Sequence, residues 1–285
     1  MNVRRSTRSL VWMAVLVSGC ISDPDSRPEV DLSLVLSSQH NRRGMIENER
    51  GVIQGQAKTR IPLRFGGSFR FAAWGNLDLT DDPGDAWRPA GHGGELTQVD
   101  LTAAYGRTLG PVDLSGGVTS YVLPNGSEFL NGPRGTTSEI FMTAGSELFE
   151  GELYGLYPLV SAHYDIDEVG GLYLQGAVFK GVPITEALRL VLSVSLGYSD
   201  TNHSSWTYGV KEAGLSDLRG TISLEYRVAE NTTVALGVSA STILDNDIEA
   251  WIESRAIVRR TSPVDVERGI ETDTVWYTLG LHSRF

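Results

Sequence analysis

The sequence predicts an all-β fold: an antiparallel transmembrane β-barrel of about twelve strands, preceded by a signal peptide. Three observations lead there. Segments of about ten residues alternate apolar and polar side chains, short and long connections alternate between them, and aromatic residues mark both ends of the apolar faces. A period of two gives a strand one apolar side, and about ten residues let a tilted strand cross a bilayer.

The last strand shows the pattern most plainly. In WYTLGLHSRF (276–285), Phe285, Leu281, Leu279 and Tyr277 share one parity with Val275, broken only by Ser283. The other face is polar or small except for Trp276. DLSLVLSS (31–38), VIQGQAKTRI (52–61), SFRFAAWGNLD (68–78) and TQVDLTAAY (97–105) repeat it. So do GLYLQGAVF (171–179), ALRLVLSVSLGY (187–198), DLRGTISLEY (217–226) and TTVALGVSAS (232–241). Weaker members are VDLSGGVTSYV (112–122), SEIFMTAGS (138–146) and LYPLVSAHY (156–164).

With strand 1 rising from the periplasm, the junctions Arg64–Gly67, Arg107–Pro111, Leu148–Gly151, Lys180–Glu186 and Arg227–Asn231 fall on the periplasmic side, and all are short. The other side carries His40–Gly51, Thr80–Glu95, Pro124–Thr136, Ser199–Gly214 and Asp245–Thr272, with only Asp165–Gly170 brief. Outer-membrane barrels have this asymmetry. Phe69, Tyr105, Tyr226 and Phe285 fall at periplasmic ends of the apolar face, and Tyr164 and Tyr198 at extracellular ends. Two aromatic girdles at headgroup level follow. A periplasmic β-sandwich also alternates, but needs neither strands of this length throughout nor two aromatic bands. The terminal Phe285 matches the C-terminal signal read by barrel-assembly machinery.

The chain begins MNVRRSTRSL, with Arg4, Arg5 and Arg8, followed by the apolar run Leu10–Val17 and then Ser18-Gly19-Cys20. Such a start reads as a signal peptide over 1–19. Val17-Ser18-Gly19-Cys20 resembles a bacterial lipobox, which would make Cys20 the acylated first residue of a linker over 20–29. Ordinary cleavage after Gly19 is the alternative. Cys20 is the only cysteine, so no internal disulfide forms. Residues 30–285 form one barrel domain.

The formal charge is −11, and losing the three arginines of residues 1–19 takes it to −14. That balance argues against nucleic-acid binding. No later apolar run reaches the length of a helical span.

The inward parity carries Lys58, Arg60, Arg70, Arg189 and Arg219 against Asp78, Asp100, Glu139, Asp217 and Glu225. Charges are costly facing lipid and tolerable facing water or each other. A barrel of about twelve strands is wider than a filled eight-strand one and narrower than an open sixteen-strand porin. Two readings follow: a narrow pore for small polar or ionic solutes, with the charges setting a transverse field, or a closed barrel in which they pair and which serves as a structural or interaction protein. Gly117, Gly197 and Gly237 leave room for either.

The motifs SSQHNRRG (37–44), GNLDLT (75–80), TQVDLTAAYG (97–106), LGYSD (196–200) and LSDLRGTISLEY (215–226), with the terminal strand, resemble the TorF-type family of outer-membrane porins, bacterial proteins of unknown function. The resemblance spans about residues 30–285. It implies a porin barrel, with no substrate to carry over; the barrel itself is expected to sit among outer-membrane lipid and lipopolysaccharide. A lipobox is not a feature of that family.

Further features bear on chemistry or on partners. Asn202-His203-Ser204-Ser205 is the one stretch that suggests an outer-membrane lipid hydrolase, which needs a Ser beside an oriented His; in a polar stretch between strands it reads as an exposed loop. His163, beside Asp165 and Asp167, reads as a lumen or rim residue. The acidic runs LTDDPGD (79–85), DIDE (165–168) and DNDIE (245–249) offer oxygen ligands for divalent ions, but none has the spacing of a calcium loop; they read as solvated surface that could bridge ions to lipopolysaccharide. No cofactor is implied. Trp251 and Ile252, in the longest loop, could fold inward as a constriction or outward as a partner site.

Overall fold

The computed structural model describes residues 27–48, 50–80, 93–124, 136–146, 155–252 and 272–285. The leader over 1–19, Cys20 and most of LTDDPGD lie outside these residues.

Twelve strands close into an antiparallel barrel. They are β1 (Glu29–Ser37), β4 (Val52–Pro62), β5 (Ser68–Asp78), β6 (Leu96–Leu109), β7 (Val112–Val122) and β8 (Thr136–Ser146), then β9 (Leu156–Asp165), β10 (Leu172–Pro183), β11 (Leu188–Ser199), β12 (Gly214–Ala229), β13 (Thr232–Ile243) and β14 (Thr274–Arg284). Each pairs with its neighbours in sequence, and β1 closes the ring by pairing with both β4 and β14. Closure removes every sheet edge, the condition for placing strands in lipid. At the seam, Val30 and Phe285 exchange backbone hydrogen bonds of 2.9 and 2.8 Å, so the barrel's two termini meet at one end. That end carries mostly short connections and the opposite end mostly long ones, with β8–β9 and β9–β10 as the exceptions.

The barrel is apolar outside and polar inside, following the expected parity. Leu34, Met142, Val160, Ile222 and Tyr277 are exposed on the outer wall, whereas Asn76, Gln98, Thr137, Ser199 and Asp217 are buried within. Tyr105 packs edge-on against Phe69 with ring centroids 5.9 Å apart, and Tyr226 and Phe285 are exposed at the same end. Tyr164, Tyr198 and Tyr277 are exposed near the other.

The first loop departs from its expected form. His40–Gly51 is not an external loop: it forms the hairpin β2 (His40–Arg42) and β3 (Met45–Asn48), which folds back into the barrel mouth. The reason is local. Arg43 and Gly44 take φ of 48° and 79°, the positive values that a tight hairpin turn requires. Met45 and Ile46 then give the hairpin an apolar pair to bury.

Candidate functional site: a constricted barrel mouth

The hairpin is fastened around the ring. Asn41 Nδ2 donates to Ser241 Oγ on β13 (3.1 Å), and Arg219 Nη2 on β12 donates to Asn41 Oδ1 (2.7 Å). Gln39 Nε2 donates to Thr274 on β14, and Asn48 Nδ2 to Asp78 Oδ2 on β5 (3.0 Å). Tyr208 donates its hydroxyl to the Arg43 carbonyl at 2.8 Å. The tip lies so near the wall that a Cβ on Gly44 would sit 2.7 Å from Asp217 Cβ and Ile243 Cδ1. Only glycine combines that proximity with a positive φ. Met45 packs in an apolar cluster with Tyr208, Ile243, Ile248 and Ile252, the last two on a helix over 246–252. The described start of the longest loop, 245–252, therefore folds inward, and its Ile252 packs against the hairpin tip.

Two arginines point from the hairpin into the wall. Arg43 makes a bidentate pair with Glu139 on β8, both contacts 2.8 Å, and its guanidinium lies 4.4 Å from the Tyr173 ring centroid. Glu139 also accepts from Tyr121 (2.7 Å), and His163 Nδ1 lies 3.5 Å away. Arg42 sits 4.2 Å over the Tyr121 ring and 3.8 Å from Glu47. Burial alone would lower the Arg43 pKa, but the Glu139 charge and hydrogen bonds outweigh it and hold it above its ordinary value. It carries its charge at any working pH.

His203 corrects an expectation. Rather than an exposed loop residue, it lies buried on helix α1 (Thr201–Thr207), whose N-cap Asp200 accepts from the His203 N–H at 2.8 Å. Arg43 Nη1 is 2.7 Å from His203 Nε2, so that nitrogen accepts. The ring proton is then on Nδ1, which donates to Ser199 Oγ at 3.0 Å. Burial, and then the Arg43 charge, push the His203 pKa well below 6.5. This tautomer cannot take a proton from Ser199, and Ser204 is fully buried. The arrangement positions the hairpin; it does not activate a nucleophile.

The ten inward charges divide by height. Near the mouth, Asp78, Glu139 and Asp217 are buried. Asp100 accepts from Gln98 at 2.7 Å, Asp217 from Tyr173 at 3.1 Å, and Arg219 holds Asn41. Near the turns, Lys58, Arg60, Arg70 and Arg189 are exposed. Arg60 stands directly across from Arg70, and Arg189 across from Glu225. Arg60 also reaches Glu29 at 3.3 Å. Gly117, Gly197 and Gly237 do not leave open space. The Asp217 carboxylate and the Tyr173 hydroxyl fill the space over Gly197, Thr278 lies over Gly237, and Gly117 abuts Ala103 and Ala104.

Two acidic runs turn out to be loop caps. Asp165 is buried and accepts from the N–H groups of Asp167 and Val169, and Asp245 from those of Asp247 and Ile248. Sequence reasoning missed Arg42, Arg43 and Glu47. The signal available for them was a Gly after two arginines, followed by Met-Ile inside an otherwise polar loop.

No family model and no curated protein matches this sequence. Solved structures do match in fold. An outer membrane channel from Pseudomonas putida F1 aligns with TM-score 0.52 at 9% identity, covering 94% of this chain and 98% of that one. The NanC porin aligns at 0.49 and 11%, over 88% and 98%. The KdgM porin in complex with oligogalacturonate aligns at 0.45 and 8%, over 90% and 99%. The barrel has the fold of an outer-membrane channel.

Proposed function

We propose that this chain is a channel of the bacterial outer membrane for small polar or ionic solutes, with the β2–β3 hairpin as its constriction. The observation that carries the reading is the inside-out barrel, whose inner face bears charge near the mouth and near the turns alike. Such a face is expensive against lipid and suited to a water-filled path. His203, buried, held by Arg43 on Nε2 and donating from Nδ1 to Ser199, supports a role without catalysis.

Single-channel conductance of the purified, folded chain in a planar bilayer tests it. Discrete steps are expected, and replacing residues 39–50 by a short Gly-Ser link raises their size severalfold. Silence from both folded proteins overturns the channel reading. A second reading, a closed barrel acting as an interaction protein, is favoured by the number of strands the hairpin grips; it predicts silence in the parent and steps only in the shortened variant.

The remaining expectations travel with this proposal. Residues 1–19 deliver the chain, Cys20 anchors it by lipid, and assembly machinery reads the strand ending at Phe285. Kinship with the TorF-type porins belongs here too, supported by the motifs from SSQHNRRG to the terminal strand.

A further inference from the structure

The outer wall is not uniformly convex. A groove of about 680 Å³ crosses five strands, from β6 to β10. Its floor is Gly116, Ala144, Ala162 and Gly176, and Leu114, Met142 and Val160 stand along it. Register explains the depression. The rows Arg107–Leu114–Ala144–Val160–Gly176 and Tyr105–Gly116–Met142–Ala162–Leu174 run side by side, and from β7 to β10 large and small residues alternate along them out of step.

The groove has a direction. It begins at Arg107, two residues from the end of β6, and finishes at Gly176, in the middle of β10. Four interstrand spacings make it about 19 Å long. Hydrogen-bonded rows climb at the strand tilt of about 40°, so it rises about 12 Å, close to one leaflet's half of a hydrocarbon core about 30 Å thick. At its lower end Arg107 faces outward, exposed, with no hydrogen bond or ion pair among the described residues. Tyr105 lies beside it and donates to the Gly66 carbonyl at 3.3 Å. An unpaired guanidinium at headgroup height beside an apolar channel one leaflet deep matches a phospholipid: a phosphate for the cation and an acyl chain for the groove.

We infer that this groove binds one anionic phospholipid of the turn-side leaflet, its headgroup at Arg107 and one acyl chain along Ala144 and Ala162. The inference needs the barrel to stand in a membrane and does not need it to conduct. The probe is phosphatidylglycerol, offered to the full purified barrel in mild detergent against phosphatidylethanolamine, with bound lipid counted by native mass spectrometry. One phosphatidylglycerol per barrel is expected. Ala144→Trp, which points outward and fills the groove, abolishes retention, and Ala162→Trp repeats the test should the first variant fold poorly. Arg107→Ala lowers the preference for phosphatidylglycerol about fivefold. Lys180→Ala changes nothing, because Lys180 faces outward near the same rim but does not line the groove. Equal retention by parent and Trp variants overturns the inference. So does a parent assembly that falls to monomers on Ala144→Trp with its lipid count unchanged, which would make the groove a contact between copies of this chain.

Discussion

Near its mouth the barrel's inward charges are buried or half-buried and held by named partners, while near the turns they stay in contact with water. Glu139 and Asp217 are 3% and 1% exposed, whereas Lys58, Arg60, Arg70 and Arg189 are exposed outright. The same strands and the same parity thus put charge to two uses. In the mouth, where the hairpin has displaced solvent, a charge must be paired and hydrogen-bonded, and it becomes a fastening. Near the turns water screens each pair, so pairing contributes little, and in the proposed channel the charge is left facing the solute path.

Four tests break or sharpen this contrast. The largest effect is expected from Arg43→Ala, which leaves Glu139 buried without its counter-charge. Loss of one partner of such a pair costs about 3–5 kcal/mol, so the melting temperature in detergent falls clearly, and adding Glu139→Gln restores much of it. A single variant that melts like the parent would mean the hairpin is held by other contacts. Next comes Gly44→Ala, which sets a Cβ against Asp217 and Ile243 at positive φ and costs about 1–3 kcal/mol. Its channel records should be noisier than the parent's.

A smaller effect concerns pH. The folded-state pKa of His203 lies below the unfolded value of 6.5. Under that pH the unfolded chain takes up a proton that the folded chain refuses, so this residue's contribution to stability is full above 6.5 and is lost as pH falls. The slope is at most about 1.4 kcal/mol per pH unit. Melting curves from about pH 7 to about pH 5, the range in which histidine titrates, should therefore fall less steeply for His203→Gln than for the parent. The smallest stability effect belongs to the turn end, where Arg70→Gln or Arg189→Gln should change stability by no more than about 0.5 kcal/mol. The reversal potential in a salt gradient should nevertheless move toward cation selectivity. An unmoved potential would remove these residues from the conducting path.

The mouth shows where legibility stopped. That Glu139 and Asp217 face inward could be read from their neighbours Ile140 and Leu218, because strand parity is local. That Glu139 meets Arg43, 96 positions earlier in the chain, could not, because the partner arrives on a loop whose path is set by the assembled ring. His203 was misread for the same reason. Its polar neighbours describe a loop, and only the approach of Arg43 and Tyr173 buries it.

By itself the sequence determined the barrel: the two-residue period, the strand lengths and the alternation of short and long connections each follow from rules acting within a few residues. Tertiary structure alone decided that the first loop turns inward, that its arginines reach the wall and narrow the mouth, and that small residues from separate strands line up into an outer groove. Those outcomes depend on register and closure, which place side chains from distant segments within a few ångströms of one another.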